Sequence, residues 1–329
     1  MTFAPALRRV LAGLAAIAAL VPAAPAQSDG AASRIVVDSL WSRGLGTWKR
    51  FRVYIPAGYD RSTRRYAVAY YLHGLWGSEQ DWSNQGRLGV TLDSLNAAGV
   101  RPMIVVMPDA DDSWYTTWNH LGNGPACAAD TTRKEPASTY CVPWPKYDDY
   151  IARELVGAID ARYRTHARRE SRGIAGLSMG GYGAITLALA YPEVFAAAAS
   201  HSGVVWPLHA DTSSAPLDAA TGWERRQRFY GALMPSITLA MGRDTLGWRS
   251  REPLRLARLA RVRGRTLPAL WIDCGVGDKY IGQNRRLHAA LEAERIPHVW
   301  NERPGAHSWV YWRDNAAHSL TWLSQTLVL

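Results

Sequence analysis

Gly176-Leu177-Ser178-Met179-Gly180-Gly181 carries the pattern G-x-S-x-G, and its flanks decide how the rest of the chain is read. Before it, residues 173–177 form a short run of strand character. After it, residues 180–191 form an Ala/Leu-rich helix stopped by Pro192. A serine at such a strand-to-helix turn is a nucleophile elbow. The glycines leave room where a side chain would strike neighbouring backbone, the hydroxyl stands above the sheet, and the first N–H groups of the helix lie beneath it. The bare pattern arises often by chance in a chain with 28 glycines. With a strand before it and a helix after it, the pattern points to Ser178 as a nucleophile.

Working outward, the chain alternates strands and helices. Residues 67–72 and 103–107 are unbroken apolar runs, as suits strands buried on both faces. Between them residues 88–98 place Leu88, Leu92 and Leu95 at helical spacing, and residues 147–163 do the same with Tyr150, Ile151, Leu155 and Ile159. Strands follow at 195–200, 267–274 and 298–302, with helices at 284–294 and 309–327. Residues 35–41 and 48–55, parted by Gly44 and Gly46, read as an opening antiparallel hairpin. This alternation predicts an α/β fold, a mainly parallel central sheet with helices on both faces. The Arg-rich stretch of residues 207–265 matches no sheet element and reads as a helical insertion over one edge. Residues 27–329 are expected to form one domain.

A serine is a weak nucleophile, so it needs a base held by a third group, each in a loop at a strand's carboxyl end. In the order Ser, acid, His, two positions fit. Asp278 follows the strand at 267–274 through Gly275-Val276-Gly277, and His307 follows the strand at 298–302 through Arg303-Pro304-Gly305-Ala306. Asp273 is the competing acid, but it lies within a strand. Among the other histidines, His298 falls at a strand start, His288 lies on a helix, and His73 and His201 read as strand-end residues bracing loops. The oxyanion hole requires two N–H donors. Met179 supplies one; the loop His73-Gly74-Leu75-Trp76-Gly77 supplies the other, from Leu75 with Trp76 second.

Composition bounds the setting. The 329 residues are 47% hydrophobic and 20% charged, with a formal net charge of +10. Fifteen Trp and fifteen Tyr exclude a disordered low-complexity chain. Only Lys49, Lys134, Lys146 and Lys279 among the 38 basic residues are lysines, so the surplus is arginine, and no nucleic-acid module accompanies it. Residues 1–26 read as an export signal: Arg8 and Arg9, an apolar run of about twelve residues, then Ala24-Pro25-Ala26 with cleavage after Ala26. That run is too short for a permanent membrane anchor. A periplasmic or secreted protein is therefore expected. Cysteine usage agrees. Cys127 and Cys141 lie in a Gly/Pro/Thr-rich stretch and form a candidate disulfide worth about 3 kcal/mol, while Cys274 reads as a small buried hydrophobe.

Eight tryptophans fall in or just after strand-end loops: Trp76, Trp82, Trp114, Trp118, Trp144, Trp206, Trp309 and Trp312. Packing of long loops accounts for most of them. Trp76, Trp114 and Trp206 are the candidates for pocket walls that stack sugar or aryl rings. Asp109, Asp111 and Asp112 lack the spacing of a calcium loop and read as a solvated turn. Neither a metal nor a nucleotide cofactor is expected, since no phosphate loop or dinucleotide fingerprint is present.

The segments LHGLWGSEQDW (residues 72–82), GLSMGGYGA (176–184), CGVGD (274–278), NRRLHAALEAERIPH (284–298) and PGAHSWVYW (304–312) resemble the esterase D family of α/β-hydrolases. That family includes tributyrin-type carboxylesterases, S-formylglutathione hydrolases, feruloyl esterases and mycolyltransferases. The likeness spans roughly residues 48–322 and implies the α/β-hydrolase fold, with Ser178, Asp278 and His307 as nucleophile, acid and base. It implies a secreted serine esterase acting on short acyl or hydroxycinnamoyl esters, either small molecules or linked to polysaccharide. Two further readings stay open: an acyltransferase with a sugar or alcohol acceptor, and a non-catalytic envelope binding protein on a hydrolase scaffold. The segment around Cys127 and Cys141 and residues 207–265 depart from the family pattern, which leaves the substrate open.

Overall fold

A computed structural model describes residues 32–117, 129, 142, 145–205, 221–242 and 245–328. The strands are β1 (Arg34–Ser42), β2 (Thr47–Ile55), β3 (Val68–Leu72), β4 (Ile104–Pro108), β5 (Arg172–Leu177), β6 (Ala197–His201), β7 (Ala269–Gly275) and β8 (His298–Arg303). They form one eight-stranded sheet in the order β1-β2-β4-β3-β5-β6-β7-β8. β2 runs antiparallel to β1 and β4, and every other neighbouring pair is parallel. The strands predicted at 67–72, 173–177 and 298–302 are thus observed within one or two residues, as is the opening hairpin.

Unbroken apolar strands require cover on both faces, and the chain supplies it. Alternate residues of β5 divide between two cores. Ile174 joins Phe51, Val53, Tyr70 and Leu72 on one face, and Ala175 and Leu177 join Tyr71, Trp82 and Trp271 on the other. The second face is covered by α1 (Asp81–Asn84), α2 (Leu88–Ala97) and the closing helix. The first is covered by α3, residues 147–162, and by α4 (Met179–Ala190), which follows the elbow. α3 is not uniform: a π-turn over Tyr150–Leu155 separates α-helical Tyr147–Asp149 from Val156–Arg162. A 3.6-residue apolar pattern does not foresee such a bulge.

Between β6 and β7 come α5 (Thr221–Tyr230), α6 (Met234–Met241), α7 (Thr245–Ser250) and α8 (Pro253–Val262); α9 (Ile281–Ala293) precedes β8 and α10 (Trp309–Thr326) closes the chain. The described parts of the insertion, residues 221–242 and 245–265, carry helices and no strand. The sheet edges are β1 and β8, and α8 packs on α4 and α9. α8 presents small residues, Ala257 and Ala260, to the body and arginines to the outside. Such a face fits a helical layer, and Arg258 and Arg265 pair with Glu294 and Glu193. Part of the arginine surplus is therefore spent on the chain's own carboxylates. Residues 1–26, Cys127, Cys141, Trp118, Trp144 and Trp206 lie outside the described residues. No helix of the described residues is long and apolar enough to cross a membrane.

Candidate active site

Ser178 sits between β5 and α4 with φ 53° and ψ −115°, a conformation that costs a non-glycine residue roughly 1–3 kcal/mol. The surrounding backbone holds it there. Its N–H donates to the His201 carbonyl at 2.9 Å, and its own carbonyl accepts from Tyr182 and Val204 at 3.1 and 3.2 Å. Gly180 permits the turn, because a Cβ there would lie against the carbonyl oxygens of Leu72 and His73.

The structure brings the three residues expected to act together into one line. His307 Nδ1 lies 2.8 Å from Asp278 Oδ2, and His307 Nε2 lies 2.9 Å from Ser178 Oγ. A carboxylate accepts only, so Nδ1 carries the proton and Nε2 is left to accept from the serine hydroxyl. Asp278 is buried, and its other oxygen accepts the Tyr280 N–H at 2.8 Å. The loop bearing Asp278 is laid against the loop bearing His307: the Gly277 N–H donates to the Gly305 carbonyl at 2.8 Å. A Cβ on Gly275 would stand 2.5 Å from that same oxygen, so only glycine allows the approach. The imidazole is clasped edge-to-face between Tyr280 and Trp312, with centroids 4.9 and 4.8 Å away, and its side chain keeps 23% of its surface open to water. Sequence reading passes over Tyr280; its spacing two residues beyond the acid is the only signal that marks it.

The competing acid and one competing base meet each other elsewhere. Asp273 Oδ1 and His201 Nδ1 stand 2.9 Å apart, both fully buried, and His201 Nε2 lies 2.8 Å from Ser319 Oγ on α10. The residue types repeat those at Ser178, but here all three side chains are fully buried. The Ser319 hydroxyl also lies 3.1 Å from the Ala316 carbonyl and 3.0 Å from the Tyr71 hydroxyl, in a network closed off from solvent. This sealed array ties α10 to the sheet. His288 and His298 are likewise paired with each other, at 2.7 Å.

The loop after β3 lies beside Ser178: a Cβ on Gly74 would be 3.6 Å from that of Ser178. Of the two donors considered there, the Trp76 N–H is already given to Asp112 Oδ1 at 2.7 Å. Among the described residues no acceptor takes the Leu75 N–H, and Met179, first in α4, has no intrahelical acceptor for its own. The solvated turn expected at Asp109, Asp111 and Asp112 is corrected. Buried Lys49 lies 2.7 Å from both Asp109 and Asp111, so these acids bracket an ammonium beneath the loop. Burial alone would lower the Lys49 pKa, but the two carboxylates hold it above its ordinary value. Burial and the neighbouring Asp109 push the Asp111 carboxyl up to about 6.

Two pocket assignments resolve differently. Trp76 is 65% exposed at the tip of its loop. Trp114 is corrected: it is fully buried, edge-to-face with Tyr182 at 5.9 Å, and its Nε1–H donates to Ser236 Oγ at 3.0 Å. Left-handed backbone at Trp114 and Tyr115 turns the pair inward under α6, so Trp114 packs the insertion and lines no open pocket. Trp82 and Trp312 are also buried.

Cys274 is buried next to the acid loop, and burial pushes its thiol well above the ordinary range, with Asp278 adding to the effect. In the native protein it is expected to resist iodoacetamide at pH 8 and to react only after denaturation. Mass spectrometry reads this directly, and stoichiometric native labelling contradicts it. Among the described residues no cluster of His, Cys, Asp or Glu is arranged to hold a metal ion.

The family model described as Esterase matches residues 42–323. An esterase of Mycobacterium tuberculosis (strain CDC 1551 / Oshkosh) is 30% identical over 304 residues, covering 85% of this chain and 59% of that protein. The chain therefore spans less than two thirds of that relative's length. An endo-1,4-beta-xylanase/feruloyl esterase of Xylanibacter ruminicola is 32% identical over 162 residues, 48% of this chain and 20% of that protein. Among solved structures a ferulic acid esterase superposes with a TM-score of 0.62 at 24% identity, over 90% of this chain and 99% of the other, a likeness of fold.

Proposed function

The chain belongs to the Esterase family, and from that premise we propose that it is a serine carboxylic-ester hydrolase acting on short-chain acyl or aryl esters through Ser178, His307 and Asp278. The observation that carries the proposal is the unbroken line from Ser178 Oγ to His307 Nε2 and from His307 Nδ1 to Asp278. In the forward step Ser178 Oγ attacks the ester carbonyl carbon while His307 Nε2 takes its proton. Asp278, fixed by the Tyr280 N–H, holds the imidazole in the required tautomer and stabilises the imidazolium. The N–H groups of Leu75 and Met179 receive the developing oxyanion. The alcohol then leaves with the proton from Nε2. Water attacks the acyl-enzyme with His307 again as base, releasing the acid and restoring the serine.

The open fraction of the His307 side chain favours water as the deacylating nucleophile over a bulky acceptor. Polysaccharide-linked esters of the acetyl or feruloyl kind are the proposed natural substrates, with exposed Trp76 as a proposed pocket wall. The polymer-acting relative supports this reading. Arg8-Arg9, the apolar run after them and Ala24-Pro25-Ala26 support export, and Cys127 with Cys141 supports a disulfide outside the cytoplasm.

The test is product partition. With 4-nitrophenyl acetate and an excess of added sugar alcohol, free acetate is expected as the main acyl product. Acetylated alcohol as the main product would replace the hydrolase with a transferase. No turnover of any ester from acetyl to feruloyl would remove the enzyme reading altogether.

A further inference from the structure

An oxyanion donor acts only if its N–H points at the oxygen, and a lone peptide in a glycine loop is free to flip. The N–H of Leu75 belongs to the peptide whose carbonyl is that of Gly74, and in a trans peptide the two groups point in opposite directions. Whatever holds the Gly74 oxygen therefore aims the Leu75 hydrogen. Two donors hold it. His73 Nδ1 lies 2.7 Å from it, and the Gly77 N–H donates to it at 3.1 Å.

The His73 ring is itself fixed from its other side. Its Nε2 accepts the Ala110 N–H at 3.0 Å, so the ring is neutral with the proton on Nδ1, where it must be to donate to Gly74. The ring is buried, and the His73 carbonyl accepts from the Tyr115 hydroxyl at 3.0 Å. Ala110 belongs to the loop anchored to Lys49 through Asp109 and Asp111, and Asp112 of that loop takes the Trp76 N–H. The loop bearing the proposed donor is thus pinned at both ends to one charged anchor, with His73 as the bridge. That is more than the loop brace expected of His73 from its place at a strand end.

We propose that His73 is a positioning residue. Its imidazole, wedged between the Ala110 N–H and the Gly74 carbonyl, holds the peptide of residues 74 and 75 with the Leu75 N–H turned toward the acyl oxygen. This rests on the serine-hydrolase reading above. His73 touches no reacting atom, and its effect is confined to states that carry an oxyanion.

The experiment compares His73→Ala and His73→Asn with the parent enzyme. Loss of one oxyanion donor costs about 10²–10³-fold in kcat, so His73→Ala is expected to lower kcat by about 10²-fold with KM nearly unchanged. Its affinity for a trifluoromethyl ketone, which forms a serine adduct bearing the oxyanion, is expected to fall by a similar factor. In His73→Asn the side-chain amide nitrogen stands where Nδ1 does, so it should recover at least a tenfold part of the loss. Equal losses in both variants would assign the effect to lost ring packing and overturn the proposal. So would parental kcat and ketone affinity in His73→Ala. Should either variant fail to fold, 15N NMR of the histidines in the unmodified protein decides. A neutral Nδ1–H ring at His73 is expected, and an imidazolium or the Nε2–H tautomer overturns it. Ser178→Ala run alongside separates the two levels: turnover surviving there removes the serine-hydrolase reading, whereas its loss together with an unaffected His73→Ala removes only the role of His73.

Discussion

Replacing Ser178 with Ala is expected to lower kcat for a 4-nitrophenyl ester by about 10⁶-fold, with residual catalysis of order 10³–10⁴ over water. The size follows from what remains. The oxyanion donors and the substrate contacts stay, but no atom of the site can form the acyl bond. Alanine keeps the Cβ and the left-handed backbone of residue 178, whose N–H and carbonyl contacts are made by main chain alone. The fold and its melting temperature should therefore hold within a few degrees. Stopped assays on freshly purified variant, with circular dichroism as the control for folding, check both halves. A kcat within tenfold of the parent would remove Ser178 as nucleophile.

The second large effect separates two buried carboxylates only five residues apart. Asp278→Asn keeps the shape but replaces an acceptor with an amide, which favours the wrong tautomer at His307; kcat is expected to fall by about 10⁴-fold while stability changes little. Asp273→Asn should do the reverse. The carboxylate faces His201 at 2.9 Å with no exposed surface, and breaking a buried pair costs about 3–5 kcal/mol because the partner is left uncompensated. The turnover of its folded fraction should stay within a few-fold of the parent. Kinetics and chemical denaturation on the two variants decide. If Asp273→Asn loses turnover and Asp278→Asn keeps it, the roles are exchanged.

These two acids show how far the sequence could be read. Asp278 is legible because a Gly-Val-Gly turn carries it beyond the end of a strand, and Asp273 is discounted because it lies within one. The alternation of apolar strands with amphipathic helices, and the order Ser, acid, His, are likewise properties of the chain as written. What could not be read is which distant residues face one another. Nothing in the spacing of Lys49, Asp109 and Asp111 says that an ammonium lies between the two carboxylates. Nothing in Asp273, His201 and Ser319 announces a second array of the same residue types, sealed from solvent. Trp114 looks the same in sequence whether it walls a pocket or fills a core. Its buried place depends on left-handed backbone at two successive residues and on α6 arriving from more than a hundred residues away.

By itself, then, the sequence determined the sheet-and-helix alternation, the elbow at Ser178 and the loops bearing Asp278 and His307. Each of these is set by local periodicity, glycine placement and order along the chain. Tertiary structure alone decided that α8 packs on α4 and α9, and that among the described residues the Trp76 N–H finds an acceptor while the Leu75 N–H finds none. It also decided that His73 grips the peptide between them. Those outcomes turn on hydrogen-bond partners and clashes between segments remote in sequence, and such pairings exist only once the strands have been laid side by side.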